Sequence, residues 1–243
     1  LTAQMVDEGT GKRSALDVAD DLDLIGASMS VNAVGDATFA SLLTIKEHLA
    51  AALDVFADVL ANPAFLEKEW DRVKKSHLTS LLQQKDQPGT VATNVFNTLT
   101  YGEMHPYGRP SEGTESSVNA IALDDLRNFY QVHYRPNNAT LILVGDVTMK
   151  EITPIMEKYF GGWKSGTLMT ASTPNAPTIA GTQVFLVDKP QAAQSEIRIG
   201  HVGVARKGED FFPLVALNTI LGGQFSSRIN LNLRESKGYT YGA

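Results

Sequence analysis

Two side chains near the end of the sequence have the chemistry to hold a substrate carbonyl group. Arg234 supplies a planar fork of N–H donors and Tyr241 supplies a hydroxyl, with Gly238 between them. In the alternative interpretation, Arg234 is a solvated residue that complements the dipole at a helix end, and Tyr241 belongs to the core. This segment alone leaves both interpretations open.

The elements that position this pair follow from apolar spacing and from glycine. An apolar run predicts a helix over 211–221, and the glycine pair at 222–223 ends it. A second helix is predicted to begin at Ser226 and Ser227 and to end near Gly238. Arg234 and Tyr241 are therefore expected on the two sides of the turn at that glycine.

The rest of the sequence mixes helical and strand patterns. Ser14 with Asp17 predicts a helix start, and Gly26 predicts its end. Alternation over 27–45, with a turn at 35–36, predicts a β-hairpin. The pattern predicts further helices at 49–60, 67–85, 90–99, 123–133 and 152–160, strands at 139–144, 183–187 and 196–201, and a loop over 101–119.

This mixture predicts an α+β fold in which a sheet packs against helices, because strands and helices do not alternate strictly. The composition changes after residue 160 to a stretch rich in Gly, Pro, Ser and Thr, which is typical of a linker. We therefore predict a first domain over 1–162, a linker over 163–181 and the start of a second domain over 182–243.

Composition excludes several classes of protein and of site. The 243 residues contain no cysteine, so neither disulfides nor thiolate metal ligands are available. A net charge of −6 with interspersed acidic and basic residues gives no footprint for nucleic acid. The sequence has no apolar run of about 18 residues and therefore predicts no membrane span. An apolar content of 43% suffices for a packed core.

Short motifs distributed along the whole chain resemble the pitrilysin/insulinase family of zinc peptidases, the inverzincins, which includes the mitochondrial processing peptidase. Each motif is weak alone, and their order and spacing carry the resemblance. The matching segments are GT at 9–10, KRSA at 12–15, LDLIGA at 22–27, LANPAF at 60–65, HPYGRP at 105–110, GTE at 113–115, YRPNN at 134–138, VGDV at 144–147, LGG at 221–223 and LRESKGYTY at 233–241.

The resemblance implies an architecture as well as a family. Members build each half of the molecule from two similar tandem α+β domains of the LuxS/processing-peptidase-like type, and the halves close around a peptide. The resemblance implies that this chain contains most of a first domain, without its leading strands, and a truncated second domain.

The zinc motif of that family is degenerate in this sequence. The family uses H-x-x-E-H on a helix and a further Glu roughly eighty residues later, with two His as ligands and a Glu as the base. Alignment on Gly9 and Thr10 places Ala3 at the base position, Gln4 at the second His and Ser80, beside Thr79, at the third ligand. None of these can do the work of the family residue. We therefore predict no metal ligands, and no catalytic residues, in this chain alone.

The five histidines do not replace the missing ligands, because they form no H-x-x-E-H or H-x-x-x-H pair. His48 and His77 are predicted in surface or capping roles, and His105 in a structural one. His133 is predicted at the edge of the core, and His201 near the end of a strand.

In the family, an Arg and a Tyr of the second domain hold the substrate carbonyl and stabilise the oxyanion that forms from it. Their spacing matches Arg234 and Tyr241. The resemblance thus implies a non-catalytic subunit that supplies a substrate-binding pair to a zinc-bearing paralogue, as a heterodimer or a homodimer acting on peptides. Two alternatives stay open, a structural scaffold subunit and a peptide-binding module without proteolysis. The resemblance and the lack of cysteine favour the periplasm of a bacterium, with the cytoplasm as the alternative.

Overall fold

The computed structural model describes residues 1–169 and 172–242. The chain divides into two compact units, Leu1–Arg198 and Ile199–Ala243. Positions 170 and 171, which fall in the predicted linker, lie outside the described residues. The boundaries predicted from composition, at 162 and 181, stay a prediction.

Helices form most of the regular structure of the first unit. They are α1 (Thr2–Val6), α2 (Ala15–Leu24), α3 (Leu49–Ala61), α4 (Glu67–Gln84), α5 (Pro88–Tyr101), α6 (Glu115–Ala120), α7 (Leu123–His133) and α8 (Met149–Phe160). All the predicted helices of this unit are confirmed. The loop predicted over 101–119 is wrong at its end, because Thr114 and Ser117 form a capping box that begins α6.

Two antiparallel strands form the β-hairpin that the alternation predicts. Strand β1 (Ser28–Val34) pairs with β2 (Ala37–Leu43), and Val34 lies opposite Ala37 across the turn. Gly35 occupies that turn with φ +57°, a conformation that glycine adopts without steric cost. The helices and this hairpin confirm the α+β class.

The core of the first unit lies where α1, α3 and β1 meet. Met5, Val6, Ala52 and Val59 are fully enclosed there. Residues from α2, α4 and α7 close the core around them. Burial on this scale supplies the main stabilisation of the unit, at about 25 cal/mol per Å² of apolar surface. The short helix α1 is therefore held by packing rather than by its intrinsic propensity.

Three predicted strands are wrong. Residues 139–144, 183–187 and 196–201 make no ladder hydrogen bonds in the described part of the chain, and the sheet there consists of β1 and β2. Ile142 and Val144 are 80% and 93% exposed, so the expected burial of the first segment is also wrong. A strand needs a neighbouring strand to satisfy its backbone groups, and no such neighbour is paired with these segments.

The second unit contains α9 (Phe211–Leu221) and α10 (Arg228–Asn230), and α10 continues into a π-helical turn, Leu231–Ser236. The predicted break at 222–223, the restart at Ser227 and the end near Gly238 are confirmed. Ser227 begins α10 by accepting a hydrogen bond from the Asn230 backbone N–H.

Candidate functional site

The positions aligned with the family's zinc motif lie in two different environments. Ala3 is buried on α1 and lines a large groove of about 1630 Å³ in the first unit. Gln4, the next residue, is exposed. Ser80 lies on the exposed side of α4, in a separate polar groove with Thr79 and Arg72. Ala3 and Ser80 therefore do not line one site.

The side chains at these positions do not fit a zinc ion. A methyl group cannot accept a proton, and neutral amide and hydroxyl oxygens are poor zinc ligands. Within residues 1–169 and 172–242, no group of three or more His, Asp or Glu residues lies close enough together to hold a metal ion. The chemistry of the donors that are present thus gives no step through a metal in this chain.

His77 is a buried polar residue of α4, and its burial was not predicted from the sequence. It lines the same groove as Ala3, and its Nε2 donates to the Glu112 backbone carbonyl oxygen at 2.8 Å. Its Nδ1 lies 3.8 Å from the Glu112 carboxylate. The predicted surface role is wrong, because His77 shares the inward face of α4. The helical spacing of Trp70, Val73, His77 and Leu81 is the signal that would have shown this.

A buried ionic network fixes the segment that follows α1. Thr10 Oγ1 and Arg13 Nη1 donate to the same oxygen of Asp58, at 2.7 and 2.9 Å. Arg13 also pairs with Asp21 and Asp54, which are about half exposed. The side chain of Asp58 is 4% exposed, so its charge is balanced by these donors rather than by water.

Hydrogen bonds set the ionisation of Asp58. Burial opposes its charge, but donors from Thr10, Asn62 and Arg13 outweigh burial and hold the pKa of the carboxyl below its ordinary value. Asp58 is therefore ionised at neutral pH and anchors the segment after α1 to α3.

Asp7, at the end of α1, behaves in the opposite way. Burial raises the pKa of its carboxyl to about 6, a backbone hydrogen bond opposes the rise, and the charge of Glu8 adds to it. Arg72 lowers the pKa of Asp7 only slightly, and its guanidinium is paired with Glu8 and Glu69. The charge of Asp7 is thus only partly compensated.

A π-helical turn carries Arg234 in the second unit. The Lys237 backbone N–H donates to the Asn232 carbonyl, one residue further back than in an α-helix. The Arg234 guanidinium carbon lies 4.6 Å from the centre of the Phe225 ring, and its Nε lies 3.4 Å from a Glu235 carboxylate oxygen. π-Helical turns occur frequently at functional sites.

Gly238 ends that turn and redirects the chain toward Tyr241. Gly238 has φ +64°, and its N–H donates to the carbonyl of Arg234 itself. Tyr241 is 84% exposed, so the interpretation of Tyr241 as a core residue is wrong for the described structure. In the part of the chain described, no hydrogen bond joins Arg234 to Tyr241. The structure thus places both residues around one turn without a hydrogen bond between them in the described residues.

Family profiles match the chain over almost its whole length. Residues 1–115 match the profile described as insulinase (peptidase family M16), and residues 120–243 match the one described as the peptidase M16 inactive domain. The chain belongs to the M16 (insulinase) peptidase family. The two profiles confirm the tandem arrangement that the motifs predict. No helix in residues 1–169 and 172–242 is long and apolar enough to cross a membrane.

Individual M16 relatives agree with this assignment. An uncharacterized zinc protease of Streptomyces coelicolor is 31% identical over 241 residues, which is 96% of this chain and 52% of that protein. Another, of Bacillus subtilis, is 28% identical and covers 96% of this chain and 56% of that protein. The chain therefore spans about half the length of the curated relatives it matches.

Solved structures show the same fold. The peptidase M16 inactive domain from Pseudomonas fluorescens superposes with a TM-score of 0.82 at 27% identity, over 99% of this chain and 58% of that one. A protease from Helicobacter pylori gives a TM-score of 0.77 at 19% identity, over 97% of this chain and 58% of that one. At 19% identity, the similarity to the Helicobacter pylori protease shows the fold alone.

Proposed function

We propose that this chain is a non-catalytic component of a two-subunit zinc peptidase. A zinc-bearing paralogous subunit supplies the metal and the base, and this chain supplies Arg234 and Tyr241 for binding the peptide. The observation that carries the proposal is the contrast between Ala3, Gln4 and Ser80, which cannot serve zinc, and the donors around Gly238, where Arg234 is half-buried and Tyr241 is exposed.

The proposed role of the pair is electrostatic. The Arg234 guanidinium and the Tyr241 hydroxyl donate hydrogen bonds to the carbonyl oxygen of the peptide and strengthen them as that oxygen becomes negative. The positions of this chain that align with the zinc motif are not needed for this role. Membership of the inactive-domain type of the M16 family supports the proposal.

Replacement of Arg234 tests the proposal directly. In the complex with the zinc-bearing subunit, Arg234→Ala is expected to lower kcat/KM for a fluorogenic peptide by about 10²-fold, the effect of losing one oxyanion donor. Tyr241→Phe removes only a hydroxyl and is expected to act in the same direction.

Arg228→Ala is the matched control, because Arg228 is an exposed arginine on α10, just before the same turn. It is expected to leave peptide turnover within about twofold of the unmodified complex, as surface changes usually do. Equal turnover in the Arg234→Ala and Arg228→Ala complexes would show that Arg234 is only a surface residue.

The periplasmic location is part of the same proposal. Fractionation of the native cells, followed by detection of the chain with an antibody, checks it. Recovery with cytoplasmic markers would contradict it.

A further inference from the structure

Phe225 presents an exposed aromatic ring to the Arg234 guanidinium. The guanidinium carbon lies 4.6 Å from the ring centre, inside the range of about 6 Å for cation–π attraction. Phe225 is 62% exposed, so its ring is not part of a packed core. Exposure of a phenylalanine ring to water is energetically unfavourable. The ring of Phe225 is exposed and provides a flat surface for a cation.

Short polar contacts fix the backbone that carries this ring. The Phe225 carbonyl accepts a hydrogen bond from Asn230 Nδ2 at 2.6 Å, and Ser227 Oγ accepts from the Asn230 backbone N–H. Ser227 and Asn230 are both buried. The ring and the arginine thus belong to one segment that is stabilised by local hydrogen bonds. Asn230 of α10 binds the Phe225 carbonyl, and α10 continues into the turn that carries Arg234.

The contact with the Phe225 ring leaves donors of Arg234 free for a ligand. A cation–π contact uses the face of the ring and does not consume the guanidinium N–H groups as hydrogen-bond donors to a polar atom. The Nε atom faces Glu235, and the two terminal nitrogens make no hydrogen bond in the part of the chain described. The geometry therefore holds the cation while keeping its fork available.

We propose that Phe225 is a positioning residue for Arg234, which holds the guanidinium in place before the peptide carbonyl arrives. The inference rests on the proposed function, because it assigns Phe225 its effect through Arg234 alone. A preorganised arginine loses less freedom on binding than a mobile one, so the ring improves binding without touching the substrate.

Nuclear magnetic resonance tests the contact without any peptide or partner. In the ¹⁵N-labelled chain, the Arg234 Hε signal is expected to be shifted by the ring current of Phe225. The shift is expected to disappear in Phe225→Leu and to persist in Phe225→Tyr, which keeps the ring. An unshifted Arg234 signal in the unmodified chain overturns the proposal, and equal thermal unfolding of the variants confirms that they fold.

A double-mutant cycle in the two-subunit complex tests the effect on function. Phe225→Leu is expected to lower kcat/KM for the fluorogenic peptide about 2- to 5-fold, the size of an exposed cation–π contact, and Phe225→Tyr is expected to restore it. In an Arg234→Ala background, Phe225→Leu is expected to have no further effect.

The outcomes separate this inference from the function on which it rests. If Phe225→Leu lowers turnover equally with and without Arg234, Phe225 acts by another route, although Arg234 keeps its proposed role. If Arg234→Ala leaves turnover unchanged, the proposed function fails and the positioning role fails with it, whatever the resonance experiment shows of the contact.

Discussion

Asp58 is the acceptor around which the segment after α1 is organised. Its carboxylate accepts hydrogen bonds from the side chains of Thr10, Arg13 and Asn62, and its own side chain is almost fully buried. A change at this buried carboxylate is costly because it leaves several donors without their charged acceptor. Asp54 bonds the same guanidinium from an exposed position, which makes it a natural comparison.

Asp58→Asn is expected to lower the free energy of unfolding by about 3 kcal/mol, because it replaces the buried carboxylate that accepts from Thr10, Arg13 and Asn62 by a neutral amide. Asp54→Asn makes the same chemical change at an exposed partner of the same guanidinium and is expected to cost less than about 1 kcal/mol. Urea unfolding of both variants at pH 7 measures the difference. Equal losses would mean that burial does not set the strength of this network.

Asp7 predicts a pH dependence of stability. Its folded pKa, about 6, lies above its value in the unfolded chain, about 3.9, so the folded state binds the extra proton. Asp7 therefore lowers the free energy of unfolding as the pH rises from about 4 to about 6. Asp7→Asn is expected to be more stable than the natural chain at pH 8 and equally stable below pH 4.

Urea titrations of Asp7→Asn and the natural chain at several pH values check this expectation. If the stability difference between the two proteins stays constant across the titration, Asp7 is not the titrating group.

The pKa shift of Asp58 makes the stability depend on pH in the opposite direction. Because its folded pKa lies below the unfolded value, its stabilisation is complete above about pH 3.9 and is lost as the pH falls further.

At the scale of elements, helix ends are specified by single residues. Ser14 begins α2 with a capping box that includes Asp17. Gly26 ends α2 in a left-handed conformation. Its N–H donates to the Asp23 carbonyl and the Ala27 N–H donates to the Leu22 carbonyl, which together form a Schellman motif. These contacts are local, so the sequence predicts them from spacing alone.

Gly26→Ala is expected to lower the free energy of unfolding by about 1 kcal/mol, because φ +61° is unfavourable for a residue with a Cβ atom. Gly11→Ala is the matched control, since an added Cβ meets open space at both positions and only Gly26 has a positive φ. Gly11→Ala is expected to be neutral or slightly stabilising. Comparable losses in the two variants would exclude the backbone conformation as the cause.

Strands expose the limit of prediction at this scale. The hairpin β1–β2 is predicted correctly because its partners are joined by a short turn that local residues specify. The segments at 139–144, 183–187 and 196–201 have the right composition, yet they have no paired neighbour in the described residues. Composition indicates that a segment suits a sheet, but pairing depends on residues far away along the sequence.

At the scale of the whole molecule, the zinc positions predict where the metal resides. In the proposed complex, one zinc ion per complex is expected by elemental analysis, and the isolated chain after dialysis is expected to carry much less than one. A mutation that removes the first His of the partner's H-x-x-E-H motif is expected to abolish both the zinc and peptide cleavage, because catalytic zinc needs all its protein ligands. One tightly bound zinc in the isolated chain, together with peptide cleavage that a chelator blocks, would contradict the proposed division of labour.

The sequence by itself determined the longer helices, the ends of α2, the hairpin, the M16 family and the residue types at Ala3, Gln4 and Ser80, which do not suit zinc. These properties depend on residue type and on spacing over one or two turns. Only the tertiary structure decided that His77 faces inward against Glu112 and that Phe225 lies beneath Arg234. Each of these contacts depends on how the backbone folds between the two partners, and residue types alone do not specify that path.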